Sequence, residues 1–201
     1  MMTARGGTAA GRARALGQLV RVPYARSASV LCMTTADATE SAGANPRFAA
    51  ALSELGLDDL HGRVRRFPDA TRTAAEAAAA IGCELSEICK SLIFAADGVP
   101  VLVLMDGASR VDVERVRQEL GAGKVTRAKA DVVRETTGYA IGGVPPFGHR
   151  TQTRVLADRS LLEHDVVWAA AGHPHAVFPM EPKELVTRAG AILVDVRERS
   201  S

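Results

Sequence analysis

Ile88-Cys89-Lys90-Ser91-Leu92-Ile93-Phe94-Ala95-Ala96-Asp97-Gly98-Val99-Pro100-Val101-Leu102-Val103-Leu104-Met105 is the stretch whose reading decides the fold. Two apolar runs of strand length flank Asp97-Gly98, a dipeptide suited to a two-residue hairpin turn. The stretch predicts two antiparallel strands, Ile88 to Ala95 and Val99 to Met105, and so argues against an all-parallel doubly wound sheet. In the first strand, alternation puts Ile88, Lys90, Leu92 and Phe94 on one face and Cys89, Ser91 and Ile93 on the other. The Lys90 face is otherwise wholly apolar and reads as the core side. A lysine there must pair, reach into a pocket, or sit at a sheet edge and extend to solvent. Composition does not account for it, because the chain has four lysines against 21 arginines.

Outward from this hairpin, helical and extended patterns alternate. Upstream, Asn45-Pro46 suits an N-cap and first helical position, Phe48, Ala51, Leu52 and Leu55 follow at helical spacing, and Gly56 closes the helix. Val64 to Phe67 reads as a short strand. Thr73 to Ile81 reads as an Ala-rich helix, with Thr73 and Glu76 as a capping box and Gly82 at its end. Downstream, Val111 to Leu120 and Ala130 to Thr137 read as helices stopped by Gly121 and Gly138, with a short strand at Lys124 to Arg127 between them. Arg154 to Ala157, Val166 to Ala171, Ala176 to Phe178 and Ala191 to Val196 read as strands, and Pro182 to Arg188 as a helix stopped by Gly190. Short strands interleaved with helices predict an α/β or α+β fold. Neither of the glycine-rich phosphate-binding fingerprints, GxGxxG or GxxxxGK followed by Ser or Thr, occurs in the chain.

Composition narrows the function classes. The 201 residues suffice for one domain and a tail. Apolar residues make up 47% and charged residues 24%, which disfavours a wholly disordered chain. No apolar run approaches the ~20 residues of a membrane helix. Aromatics are only 4%, so the core must be largely aliphatic. The net charge of +2 conceals an asymmetry: residues 1 to 36 carry five arginines and no acid, and the remainder carries 20 basic and 23 acidic residues, a net of −3. The folded part is therefore not a general polyanion binder, and any RNA contact should be local. Residues 1 to 44 read as a disordered or mis-started N-terminal extension, with Met33 a plausible start; an Arg-rich transit peptide is the less favoured reading. Residues 45 to 201 read as the functional domain. Three cysteines, Cys32, Cys83 and Cys89, are too few and too oddly spaced for a disulfide framework or a metal site, and suit a reducing, cytoplasmic setting.

Beside Lys90, three further features can carry chemistry. Gly142-Gly143-Val144-Pro145-Pro146-Phe147-Gly148 must be a structured loop, able to present N–H groups to an anion or carbonyl oxygen, or else a tight connection. Ala169-Ala170-Ala171-Gly172 ends a strand in small residues, which admits either a ligand or a closely packed helix. His173 and His175 form an H-x-H pair, but Pro174 interrupts it and no acid or cysteine cluster stands nearby, so no metal is expected. Arg127, Lys129, Arg150 and Arg154 either flank a pocket mouth or form a solvated basic face. No serine has a G-x-S-x-G setting, and alternation puts Cys89 and Lys90 on opposite faces, which disfavours a cysteine nucleophile.

Taken in order, Ile88 to Phe94, Thr137 to Gly148 and Trp168 to Gly172 resemble the YbaK/ProX family of aminoacyl-tRNA editing domains, which includes deacylases of Cys-tRNA(Pro) and Ala-tRNA(Pro). The resemblance runs from about Val64 to Val196. It implies a compact mixed, partly barrel-like sheet with helices packed outside. It implies that Lys90 and Gly142 match the family's functional lysine and glycine. Gly143, Pro145 and Pro146 then shape the same wall, and Ala170, Ala171 and Gly172 line the pocket. Two positions depart from the pattern: Ala170 stands where some members carry a serine, and Phe67 is the nearest counterpart of a pocket tyrosine. The implied activity is trans-editing, the hydrolysis of the ester of a tRNA mischarged with a small amino acid, without a covalent protein nucleophile and without a cofactor. The implied partners are the 3′ end of an aminoacyl-tRNA and prolyl-tRNA synthetase, with no DNA and no membrane. The alternatives are a non-catalytic module of the same fold that holds tRNA or a synthetase, and a small-molecule esterase or nucleotide-binding protein.

Overall fold

The computed structural model of the chain describes residues 45–67 and 73–199. The reading of residues 1 to 44 lies outside the described residues. Five helices are α1 (Pro46–Glu54), α2 (Ala74–Ile81), α3 (Val113–Leu120), α4 (Ala130–Thr137) and α5 (Pro182–Arg188). The strands are β1 (Arg65–Arg66), β2 (Ile88–Ala96), β3 (Val99–Asp106), β4 (Val125–Arg127), β5 (Arg154–Asp158), β6 (Val167–Ala170), β7 (Ala176–Met180) and β8 (Ile192–Val194).

Local chemistry explains most of the boundaries. Asn45 caps α1 by accepting from Arg47 N. The Thr73–Glu76 capping box opens α2, with both reciprocal hydrogen bonds made. Asp97 and Gly98 both have positive φ, 47° and 84°, which is the type I′ pattern of a two-residue hairpin. The Asp97 carboxylate also accepts from Gly123 N and Lys124 N at 2.8 Å each, tying the turn to the start of β4. One expected helix begins later than its apolar pattern. Asp112 takes the N-cap of α3, and Val111 pairs with Arg197 in an isolated bridge instead of entering the helix. Short 3-10 turns at Asp58–Arg63, Leu85–Glu87 and Arg159–Glu163 were not foreseen, being too short for a helical period to register.

The strands form one mixed sheet in the order β1-β7-β6-β2-β3-β5-β8, with β4 also paired to β2. Pairs β2–β3, β2–β4, β6–β7 and β1–β7 are antiparallel; β2–β6, β3–β5 and β5–β8 are parallel. The path ends at β1 and at β8, so the sheet is open and does not close into a barrel.

Both faces of β2 are covered, each by its own core. Cys89 and Ile93 join a larger core with Phe48 and Leu52 of α1, Val133 of α4 and Leu185 of α5. Phe94 and Ala96 join a second core with Val116 of α3, Val103 and Met105. Each fully buried Leu or Phe contributes about 1.5–3 kcal/mol to holding these layers together.

One irregularity positions the site. The edge of β2 away from β3 is shared between two strands. β6 pairs with it at Ile88 and Cys89, and β4 pairs with it at Phe94, Ala95 and Ala96. Between them the edge has no strand partner among the described residues, and Ala128 N reaches only as far as Ile93 O, at 3.0 Å.

Candidate active site

The break in the β2 edge opens into a cavity of about 280 Å3. Its floor is β2 from Ile88 to Ile93. Ala74 and Ala77 of α2 form one wall, and Val133, Ile141, Gly142 and Val144 another; Trp168, Ala170, Pro174 and Val177 close the third. The walls are therefore mostly small or aliphatic, and Lys90 and Arg127 are the charged residues lining it.

Lys90 is half-buried, and its side chain is committed. Its ammonium donates to Gly107 O at 3.1 Å and to Ser109 O at 2.6 Å. Burial lowers its pKa from the ordinary lysine value, opposed by the charge of Asp106 and assisted by Arg127 and Arg110. Asp106 builds the loop that supplies those carbonyls. It is 2% exposed, and its carboxylate accepts from Ala108 N at 2.9 Å, Ser109 N at 2.8 Å and Ser160 Oγ at 2.8 Å. Burial would raise its pKa, but hydrogen bonds from Ser109, Ser160 and Ala108 outweigh that and hold it below the usual aspartate value. Lys90 thus lines the cavity floor while its ammonium is held by the loop that follows β3.

The glycine loop makes a tight turn in the facing wall. Gly143 N donates to Ala140 O at 3.0 Å, and Gly142, with φ of 86°, occupies the turn position that favours glycine. This leaves the Gly142 N–H without a partner among the described residues, whereas that of Gly143 is spent on the turn. Gly143 is needed for packing, since a Cβ there would meet the backbone of His173 at 2.8–3.0 Å. Pro145 and Pro146 are buried outside the cavity lining, and His149 Nε2 lies 2.8 Å from Pro145 O.

The structure brings Lys90, Gly142 and Ala170 to one cavity and places the other expected residues around it. Ala171 is fully buried in the larger core. Gly172 carries a positive φ of 86°, and a Cβ on it would come within 2.6 Å of Asn45 Cβ, so it serves the docking of the α1 cap. Asn45 Nδ2 accordingly donates to Gly172 O at 3.2 Å. Phe67 is half-buried beside the sheet, its N–H donating to His175 O at 2.9 Å, and does not line the cavity. Of the four basic residues considered for the mouth, Arg127 lines it; Lys129, Arg150 and Arg154 do not.

Sequence reasoning missed Ala74, Ala77, Ser91 and Trp168 as wall residues. The spacing of Ala74 and Ala77 was visible, but an alanine face in a helix carries no sign of what it faces. The ring of Trp168 also supports the Arg65 guanidinium, 4.7 Å from its centroid. Ser91 Oγ is buried with no hydrogen-bond partner, the one such side-chain atom among the described residues. Burial, then the charge of Asp106, push the Cys89 thiol up to about 12, which disfavours the thiolate.

The profile of the aminoacyl-tRNA editing domain matches residues 68–187, which contain every wall of this cavity. The chain belongs to the aminoacyl-tRNA editing domain family. Among its relatives, protein YwhH of Bacillus subtilis, itself uncharacterized, is 37% identical over 123 residues, covering 61% of this chain and 78% of that one. The proline–tRNA ligase of a Geobacter species is 31% identical over 102 residues, half of this chain but only 18% of the ligase. A crystal structure of a candidate trans-editing enzyme for prolyl tRNA synthetase superposes with a TM-score of 0.72 at 41% identity, covering 76% of this chain and 96% of that one. In this editing domain the resemblance read from three short stretches therefore extends to the mixed sheet and its helices.

Proposed function

We propose that the chain hydrolyses the ester of a tRNA mischarged with a small amino acid, as a free-standing editing enzyme. One observation carries the reading: Lys90, Gly142 and a set of small side chains line a single cavity at the break in β2. Similarity to a candidate trans-editing protein and to proline–tRNA ligases supports tRNA(Pro) as the tRNA concerned and prolyl-tRNA synthetase as a partner.

The chemistry follows from the ester. Water adds to the aminoacyl carbonyl, a tetrahedral oxyanion forms, and the ribose oxygen leaves with a proton. Gly142 N–H is suited to receive the developing oxyanion, and the missing side chain lets the ester approach. The Lys90 ammonium already donates to two carbonyls, so it acts as a charge and an anchor for the polyanionic 3′ end and not as a proton acceptor. The raised pKa of Cys89 supports a path without an acyl-enzyme. Val133, Val144, Val177 and Ile93 restrict the side chain admitted to the size of Ala, Ser or Cys. Such a substrate belongs to the cytoplasm, where translation occurs.

The test is release of labelled amino acid from a panel of mischarged tRNAs spanning alanine to leucine. Turnover of one or more of the small members, and none of the large ones, is expected. Tight binding of charged tRNA with no turnover on any member would replace this reading with a non-catalytic holding module.

A further inference from the structure

Register places a cation and an indole on the cavity side of the sheet. Arg65 of β1 stands opposite Val177 of β7, and Val177 opposite Ala170 of β6. Paired residues share a face, as do residues two apart on one strand, so Arg65 lies on the same face as Val177, Ala170 and Trp168. The last three line the cavity. Trp168 is in turn abreast of Ile88, and Lys90, two residues on, belongs to that face as well. Arg65 therefore stands at the rim of the cavity, on the strand that ends the sheet, about three strand spacings or 14 Å from β2. Trp168 belongs to the interval between them, and the Arg65 guanidinium lies over its ring, 4.7 Å from the centroid.

This pair is not a buried brace. Arg65 is exposed and forms no ion pair with any described residue, and its exposed neighbours Arg63 and Arg66 form none either. The adjacent cavity has Lys90 and Arg127 in its lining and no carboxylate. In a folded part that carries slightly more acid than base, this is a local concentration of positive charge. Cations alone would serve a phosphate. A guanidinium laid over an indole adds a planar cation with an aromatic backing, and unpaired bases stack on such surfaces whatever their sequence.

We propose that Arg65, backed by Trp168, is the stacking platform for the terminal base of the RNA 3′ end. The inference rests on the editing reading above and specifies how that site holds its substrate. A nucleotide whose ester enters the cavity carries its base toward the rim, where Arg65 stands, and the cations around it meet the phosphates. The platform selects for an unpaired base beside the ester, and the cavity walls select the size of the amino acid.

Trp168 is the single tryptophan of the chain, so its fluorescence reports on the platform directly. The probes are two RNA hairpins with the same stem and the same unpaired 3′ tail, one ending in adenosine and the other in an abasic ribose, which carry equal charge. They are titrated against the full chain, Arg65→Ala and Arg65→Lys, with thermal unfolding of all three. The wild type is expected to bind the adenosine hairpin about tenfold or more tightly than the abasic one, the scale of one stacked base, with a change in Trp168 fluorescence that the abasic hairpin does not give. Arg65→Ala and Arg65→Lys should both lose most of that preference with Tm within a few degrees of wild type, and Arg65→Lys should still bind the abasic hairpin as wild type does, because it keeps the charge and loses the plane. Equal affinity of the wild type for both hairpins overturns the proposal, and so does a preference that Arg65→Lys retains in full. A preference lost only together with a Tm drop of several degrees assigns the pair to the fold and overturns it too. Fluorescence indifferent to both hairpins but altered by prolyl-tRNA synthetase would give the platform to a protein partner instead. A wild type that prefers the adenosine hairpin through Arg65 yet hydrolyses no mischarged tRNA defeats the editing reading and leaves the platform standing.

Discussion

Two glycines with the same backbone conformation have different consequences when replaced. Gly142 and Gly172 both have φ of 86°, but a Cβ on Gly142 would find only Pro174 at 3.6 Å, whereas on Gly172 it would strike Asn45 at 2.6 Å. Gly142→Ala should cost about 1–2 kcal/mol from the left-handed conformation and lower kcat/KM about 10- to 100-fold by shifting the turn that offers its N–H. Gly172→Ala should cost about 2–4 kcal/mol, adding overpacking to the same strain. Urea unfolding and deacylation rates measured side by side separate the two. Folded protein should also keep its activity after iodoacetamide treatment at neutral pH, since burial raises Cys89 to about 12 and Cys83 to about 11; inactivation that tracks modification of Cys89 would restore a thiol mechanism. At this scale the sequence was informative wherever a residue broke a pattern. Lys90 stood out as a charge among apolar alternates. The direction of its ammonium was not legible, because its acceptors are main-chain carbonyls, which every residue carries. Arg65 was hidden for a related reason: an arginine among other arginines looks like a solvated charge until the indole under it is seen.

The bracing of Lys90 belongs to the end of β3 and the loop that follows. Asp106 holds Ala108, Ser109 and Ser160 through its carboxylate, and Ser109 in turn offers its carbonyl to Lys90. Asp106→Ala should cost about 2–3 kcal/mol at neutral pH, the scale of a buried, charged acceptor lost with its donors left unpaired. The folded state lowers the pKa of Asp106, so its contribution is present above the unfolded value of about 3.9 and disappears as pH falls through the lower folded value. The stability gap between wild type and Asp106→Ala, measured by urea unfolding, should therefore narrow below about pH 4; a gap independent of pH would contradict the role given to the carboxylate. Element boundaries were readable where their causes are local, as in the Thr73–Glu76 capping box, the Asp97-Gly98 turn and the glycine stops of α2, α3 and α4. The break in the β2 edge was not. It arises because β4, some 30 residues later, and β6, some 80 residues later, pair with opposite ends of one strand. No pattern within β2 encodes that.

Over the whole molecule, charge and topology set what the cavity can be offered. With a folded part carrying slightly more acid than base, RNA must be held near the cavity by a few cations, among them Lys90, Arg127 and Arg65 on Trp168. Removal of residues 1 to 44 should leave turnover nearly unchanged, and a truncated protein that binds tRNA but turns over several-fold more slowly would assign those residues to the enzyme. The mixed sheet was anticipated from a hairpin set among helices. Its coverage on both faces was not, since alternation along β2 marks one face as apolar without saying that the other, with Cys89 and Ile93, is equally buried. The central claim is that one cavity, at the break in β2, removes a small amino acid from tRNA with Lys90 as its fixed charge. It is tested most directly by the single-turnover deacylation rate of the best small-amino-acid tRNA, with wild type and Lys90→Ala of equal Tm compared against buffer. The account predicts hydrolysis well above buffer for the wild type and a fall of about 100-fold or more for Lys90→Ala, a loss of charge stabilisation of about 2.7 kcal/mol. Equal rates for the two proteins would contradict it.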